Sequence, residues 1–109
     1  MNKRSLVLSL LEKDKAPGPV PAAFFLHFDS SYRRGQPAID KHLDYFRYTG
    51  MDFVKIQYEH PYPALDTIRK PTDWGKMPRY GKDFFDEPLR VVEGLVKAAK
   101  QEALVIVTL

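Results

Sequence analysis

The chain has 109 residues, of which 44% are hydrophobic and 28% charged, with a formal net charge of +3 and no cysteine. This composition suits one globular unit and excludes disulfides, thiolate metal sites and a cysteine nucleophile. The small basic excess is spread along the chain, so no nucleic-acid site is predicted. The apolar runs are far shorter than the roughly 20 residues of a membrane helix. Charges at residues 12–14 interrupt the only stretch that resembles a signal peptide, and we expect a cytoplasmic protein.

The first half of the chain predicts a helix, a strand and a second helix. Leucines at three- and four-residue spacing give one apolar face to a helix over residues 3–13. The alternate prolines of residues 15–21 predict an extended connector, because proline fixes φ and lacks an N–H donor. Residues 22–28 are apolar on both faces and predict the first strand. A helix over residues 37–49 follows, and Gly50 ends it.

The second half predicts two further strands around a long loop and a third helix. Residues 52–59 predict the second strand, and residues 60–85 form an irregular stretch of a length that is typical of functional or mobile loops. The acidic pair before Pro88 predicts that the third helix begins at residues 86–88. Gly94 costs about 1 kcal/mol within a helix, which predicts close packing there. Residues 103–109 predict a buried final strand, after which we expect the chain to continue.

The element order is therefore helix-β-α-β-α-β. Apolar strands joined by helices predict a parallel sheet that is covered on its faces. Either a doubly wound sheet or part of a (β/α)8 barrel would satisfy this order. The early strands are followed by no G-x-G-x-x-G or Walker-type loop, which disfavours a nucleotide-binding doubly wound fold.

Two clusters of polar residues follow the first two predicted strands, where parallel α/β folds place their active sites. The first cluster consists of His27, Asp29, Ser30, Ser31, Tyr32, Arg33 and Arg34. The second cluster consists of Gln57, Tyr58, Glu59, His60 and Tyr62. Arginines there could bind carboxylates, while a carboxylate or an imidazole could move protons. Glu59 is the strongest candidate, because a carboxylate that closes a buried strand is costly unless it is used or paired.

Several of these residues also have a structural interpretation. His27 could be a hydrogen-bonded core residue, and Asp29 could shape the turn after the first strand. His42, at the edge of a helix face, is predicted to be structural. His27, Asp29 and Glu59 could hold a metal ion, but their spacing matches no known ligand pattern, and we predict no metal site.

Three features resemble the N-terminal third of the uroporphyrinogen decarboxylase family: the segment from Gly50 to Glu59, in which a Gly-x-Asp turn leads into the second strand, the Pro19-Val20-Pro21 segment and the Tyr32-Arg33 pair. The resemblance covers nearly the whole chain. It implies an α/β fold in which residues 1–109 are a single incomplete domain, the N-terminal part of a (β/α)8 TIM barrel with parallel strands. Because three strands leave open edges, the chain is also a candidate homodimer.

The resemblance further implies a carbon-carbon lyase that decarboxylates an acidic tetrapyrrole, such as uroporphyrinogen III in porphyrin and heme biosynthesis, without a cofactor. Glu59 stands where the family has a catalytic aspartate that holds the pyrrole nitrogens. His27 stands near a family arginine, and Arg33 or Arg34 would position substrate carboxylates. One alternative is a cobamide-dependent methyltransferase of the same family, with zinc and a corrinoid bound by residues outside this chain. Another is a non-catalytic binding module from a degenerate barrel.

Overall fold

The computed structural model describes residues 2–12, 14, 18–57 and 60–108. Within these ranges the chain forms α1 (Lys3–Ser9), α2 (Gly35–Thr49), β1 (Phe53–Lys55), α3 (Lys82–Ala99) and β2 (Leu104–Ile106), with short 3-10 turns at Ser30–Tyr32 and Pro71–Lys76. The strands β1 and β2 are parallel and neighbouring. The predicted α/β class is therefore confirmed. None of the helices in these ranges has the length and apolar content that a membrane span requires.

The β1-α3-β2 unit is the crossover that the sequence predicts, but both strands are shorter than predicted, and the exposed Ile106 shows that the final strand is not fully buried. Val54 pairs with Val105 at the centre of the sheet, and the N–H of Ile56 extends the pairing by donating to the Ile106 carbonyl at 2.9 Å. Parallel strands require such a crossover, which a helix usually provides. The carboxyl ends of β1 and β2 therefore lie side by side at one edge of the molecule.

The predicted first strand is wrong, because residues 22–28 run beside β1 without forming a backbone ladder. The side-chain amide of Gln57 takes the place of that ladder. Its Oε1 accepts from the Leu26 N–H at 3.0 Å, and its Nε2 donates to the Phe24 carbonyl at 2.9 Å. At the other end of β1, the N–H of Asp52 donates to the Ala22 carbonyl at 2.8 Å.

Residues 22–28 lie on the side of β1 that faces away from β2. The peptide group between Lys55 and Ile56 directs its N–H to β2, and so directs its carbonyl to the opposite side, since a trans peptide holds these two groups antiparallel. That Lys55 carbonyl accepts from Gln57 Nε2 at 3.2 Å, which also holds Phe24. The spatial order is therefore residues 22–28, then β1, then β2, the same as the order in the chain.

The helices α2 and α3 pack together over β1 and β2. The buried face of α3 is formed by Val91, Leu95 and Ala99, at four-residue spacing. The predicted packing at Gly94 is confirmed: a Cβ added there would meet Ile39 Cδ1 and would lie 3.1 Å from Ile39 Cγ1. Gly94 therefore allows α3 to approach α2 closely.

The helix α3 begins at Lys82, four residues before its predicted start, so Pro88 lies inside the helix. An interior proline cannot donate to the carbonyl four residues earlier, which here belongs to Phe84. The imidazole Nε2 of His60 lies 2.6 Å from that carbonyl oxygen and supplies the missing donor. A distant side chain thus permits a proline at a position that local rules forbid.

The helix α1 ends at Ser9, earlier than predicted, and part of the predicted remainder lies outside the described residues. It is fastened to the amino ends of the strands. The Arg4 N–H donates to the Glu102 carbonyl at 2.9 Å, and Lys3 Nζ donates to Asp52 Oδ1 at 2.8 Å. This arrangement closes the amino edge of the sheet and leaves the carboxyl edge accessible.

Candidate functional site

A cavity of about 500 Å³ opens at the carboxyl ends of β1 and β2. Its wall includes the residues directly after each strand, the first three turns of α3 and the two arginines before α2. The polar lining residues are Arg33, Arg34, His42, Gln57, His60, Tyr62, Lys82, Glu87 and Thr108. The apolar lining residues are Ile56, Phe85, Pro88, Leu89, Val91, Val92 and Val107. The volume falls within the range of small-molecule sites.

Five residues of the two predicted clusters meet in this cavity: Arg33, Arg34, Gln57, His60 and Tyr62. They come from both predicted clusters, which lie more than twenty positions apart in the chain. Because the carboxyl ends of parallel strands share one edge of a sheet, the topology brings them together. Tyr58 and Glu59 lie outside the described residues.

The other residues of the first cluster, all exposed, do not line this cavity. The ring of His27 packs edge-on against Phe25, with centroids 4.6 Å apart. Asp29 precedes the 3-10 turn, and its carboxylate accepts from Ser31 Oγ at 3.0 Å. The ammonium of Lys41 lies 4.9 Å from the centre of the Tyr32 ring.

The rim of the cavity carries charged side chains. Arg33 Nε donates to the Phe28 carbonyl at 2.8 Å, which anchors this side chain to its own loop. Glu87 Oε1 accepts from the N–H of Gly35 at 2.9 Å and joins α3 to the first turn of α2. Gly35 has φ +62°, a left-handed conformation that strains other residues. Sequence reasoning missed Glu87 as a lining residue, although its place next to Pro88 at the carboxyl edge of the sheet was a usable signal.

The floor of the cavity contains two buried polar residues, His42 and Gln57. Nδ1 of His42 lies 2.6 Å from the Ala38 carbonyl, so it carries the proton and donates. Nε2 of His42 then accepts from the N–H of Gln57 at 2.9 Å. The imidazole is therefore neutral, and its burial lowers the pKa of His42 below the ordinary value. This agrees with the structural role predicted for His42.

The long loop after β1 leaves the body of the protein beside the cavity. The rings of Tyr62 and Tyr80 lie 5.2 Å apart and bring the two ends of the loop together. Within the loop, the carboxylate of Asp73 accepts from the N–H groups of Arg69 and Lys70 at 3.1 and 3.2 Å. These bonds, with Lys76, hold the pKa of Asp73 below its ordinary value. The loop is therefore ordered by its own contacts.

No group of three or more His, Asp or Glu side chains is close enough to hold a metal ion in the part of the chain that the structure describes. Of the three residues considered for a metal site, Glu59 lies outside that part.

The fold and the cavity define an α/β protein with a parallel sheet and a small-molecule-sized site at its carboxyl edge. Comparison with protein-family models, curated proteins and solved structures gave no match. The function of the cavity is therefore inferred from its own residues and from the motifs of the sequence.

Proposed function

We propose that this chain is the N-terminal part of a cytoplasmic enzyme of the uroporphyrinogen decarboxylase type, a lyase that removes carboxylates from an acidic tetrapyrrole such as uroporphyrinogen III. The observation that carries the proposal is the presence of Arg33 and Arg34 on the wall of a cavity at the carboxyl ends of parallel strands. Barrel enzymes hold their substrates at this edge.

The arrangement of the segments favours part of a (β/α)8 barrel. In a barrel each strand lies beside the strand that precedes it in the chain, and residues 22–28, β1 and β2 follow that order. A doubly wound sheet of the 2-1-3 type would place the first segment in the middle, whereas the 3-2-1 type shares the observed order and is disfavoured by the absence of its glycine-rich motif.

The two arginines suit a carboxylated substrate. A guanidinium group binds a carboxylate through two parallel hydrogen bonds, which fixes both the position and the orientation of the acid. Both arginines line the cavity, whereas His27 does not. We therefore propose that Arg33 and Arg34 bind the substrate carboxylates.

Glu59 is the proposed group that holds the pyrrole nitrogens. In the sequence it lies between Gln57 and His60, which both line the cavity. A carboxylate in this role stabilises the positive charge that a pyrrole ring gains when it is protonated, and this requires no cofactor.

The test uses protein produced from the complete coding sequence and reduced uroporphyrinogen III under anaerobic conditions. We expect products with fewer carboxylates, separated by chromatography after oxidation to porphyrins. Glu59→Ala should lower turnover by about 100-fold or more. Glu93→Ala, which removes an exposed carboxylate paired with Lys97 on α3, should leave turnover unchanged. Absence of decarboxylation, or normal turnover of Glu59→Ala, would contradict the proposal; binding without turnover would favour the non-catalytic module.

A further inference from the structure

Lys55 is a charged residue on the face of the sheet that lies away from the helices. Its neighbours in β1, Val54 and Ile56, are buried in the core that α2 and α3 cover. Because successive side chains of a strand point to opposite faces, Lys55 points to the other face. Its partner in β2 is Ile106, which is 36% exposed. Lys55 therefore brings a positive charge to a face whose neighbouring strand presents an apolar side chain.

The ammonium group of Lys55 lies at the carboxyl edge of the sheet, between the ends of the two strands. Its Nζ donates to the Ile56 carbonyl at 2.8 Å and to Thr108 Oγ1 at 3.1 Å. Ile56 and Thr108 both line the cavity, so the ammonium group lies directly behind the cavity wall. Its charge also acts on the floor of the cavity, where burial lowers the pKa of His42 and the charge of Lys55 adds to that lowering.

The ammonium group of Lys55 can accommodate one more acceptor. It carries three N–H donors, and two of them bond to the neutral oxygens of Ile56 and Thr108. Nζ also lies 5.6 Å from the centre of the Phe25 ring, a weak cation–π contact. In the described part of the chain, no Asp or Glu forms an ion pair with Lys55. Glu59 lies outside that part, and the proposed function assigns it to the pyrrole nitrogens.

Thr108 extends this charged group into the cavity. Its hydroxyl oxygen accepts from Lys55, so its own hydrogen is directed to another acceptor. A carboxylate beside Thr108 would meet both this hydroxyl donor and the positive charge of Lys55. Hydrogen bonds to an ionised acceptor are about twice as strong as those between neutral groups.

We infer that Lys55 and Thr108 form a second carboxylate subsite at the strand ends, separate from the wall that carries Arg33 and Arg34. This rests on the proposed function and adds to it. A tetrapyrrole with carboxylates around its whole ring needs donors on more than one side, and the pair supplies them from the sheet. Lys55 is the new substrate-binding residue, and Thr108 joins its charge to the cavity.

Fluorescence titration with uroporphyrin, on protein from the complete coding sequence, tests the subsite. Lys55→Gln should weaken binding by about tenfold, or about 1.4 kcal/mol, because a charged contact to one carboxylate is lost. Lys55→Arg keeps the charge and should weaken binding less. Thr108→Val removes the hydroxyl and should weaken binding severalfold. The matched control is Lys97→Gln, at an exposed lysine of α3 outside the cavity lining, which should leave binding unchanged.

Reductive methylation of the parent protein tests the subsite without any substitution. The reagent modifies accessible ammonium groups, and mass spectrometry of peptides measures the extent at each lysine. Saturating uroporphyrin should slow the modification of Lys55 severalfold and leave that of Lys97 unchanged, because the bound acid covers the strand ends. Equal modification of Lys55 with and without uroporphyrin would overturn the inference.

A Glu59→Gln background distinguishes a contact with substrate from a contact with Glu59. If Lys55 binds a substrate carboxylate, Lys55→Gln should weaken uroporphyrin binding about tenfold in both backgrounds. If the effect disappears in the Glu59→Gln background, Lys55 acts through Glu59, and the inference is wrong.

Turnover of uroporphyrinogen III, measured separately, distinguishes failure of the subsite from failure of the proposed function. Decarboxylation together with uroporphyrin binding that Lys55→Gln leaves unchanged overturns the inference and leaves the decarboxylase proposal in place. Binding that depends on Lys55, without decarboxylation, supports the subsite and contradicts the proposed reaction. Absence of uroporphyrin binding overturns the inference.

Discussion

Nε2 of His42 accepts a hydrogen bond from the backbone N–H of Gln57 at 2.9 Å and thereby fastens α2 to the end of β1. The side chain of Gln57 holds Phe24 and Leu26 in turn. One buried imidazole thus connects α2 to the end of β1 and, through Gln57, to residues 24 and 26. The connection requires a neutral ring, since a protonated Nε2 would direct a hydrogen at the Gln57 N–H.

This requirement predicts a loss of stability in mild acid. Burial lowers the pKa of His42 in the folded state below its ordinary value of 6.5, so the unfolded chain binds a proton more readily. The free energy of unfolding should therefore fall as the pH decreases below about 6.5, and the fall should end below the folded-state pKa. Urea denaturation at intervals between pH 5 and pH 8 measures this change.

Two variants attribute the change to His42. His42→Gln retains an acceptor for the Gln57 N–H and does not titrate, so its stability should vary less over this pH range. His42→Leu leaves a buried N–H without an acceptor and should cost about 1–3 kcal/mol at pH 8. An unaltered pH dependence in His42→Gln would show that another group is responsible.

The location of the candidate site could be predicted from the sequence, whereas its hydrogen bonding could not. The rule that parallel strands share a carboxyl edge led to Arg33, Arg34, Gln57 and His60, and it needs only the order of the elements. The same rule also selected His27, Asp29 and Tyr32, which do not line the cavity. The apolar pattern of residues 22–28 indicates burial but does not identify hydrogen-bond partners. A ladder was therefore predicted where the Gln57 side chain binds instead.

The start of α3 was missed for a related reason. Acidic residues followed by proline are typical of the first turn of a helix, which is where local rules place proline. The structure permits Pro88 further inside because His60, 24 positions from Phe84 in the chain, supplies the missing donor. Local patterns contain no information about such a partner.

The carboxylate of Asp52 predicts a second loss of stability, at lower pH. It accepts from Lys3 Nζ at 2.8 Å and from the N–H of Ala22 at 2.9 Å. The bond from Lys3, with that from Ala22, holds the pKa of Asp52 below its ordinary value of 3.8. The stabilisation is therefore present above pH 3.8 and is lost as the pH falls through the folded-state pKa.

Asp52→Asn tests this interaction. The variant should lose about 1 kcal/mol at pH 7, since Lys3 is partly exposed and solvent screens the pair. The difference from the parent protein should shrink at pH 3, as measured by urea denaturation at both pH values. Asp86→Asn, which breaks the exposed pair with Lys82, should lose at most about 0.5 kcal/mol at pH 7. If Asp52→Asn loses the same stability at pH 7 and at pH 3, the charge of Asp52 does not contribute to the stabilisation.

Close packing of Gly94 against Ile39 predicts that Gly94→Ala destabilises the parent protein but stabilises the Ile39→Ala variant. In the parent protein, Gly94→Ala should destabilise by about 1 kcal/mol, because crowding outweighs the gain in helix propensity. In the Ile39→Ala background the space is free, and the same change should stabilise by up to about 1 kcal/mol. Gly50→Ala meets no atom within 4 Å but has φ +66°, so its cost should not depend on Ile39. If Gly94→Ala changes the stability equally in both backgrounds, the contact with Ile39 is not the cause of the destabilisation.

The proline inside α3 predicts energetic coupling between His60 and Pro88. His60→Phe keeps a ring against Phe84, where the ring centroids lie 4.4 Å apart, but removes the donor to the Phe84 carbonyl. It should cost about 1 kcal/mol in the parent protein, because it leaves a partly buried carbonyl without a donor. In the Pro88→Ala background, the new Ala N–H can bond to that carbonyl, and His60→Phe should cost less than half as much. A double-mutant cycle by urea denaturation measures the coupling. The same cost in both backgrounds would mean that the His60 bond does not replace the donor that Pro88 lacks.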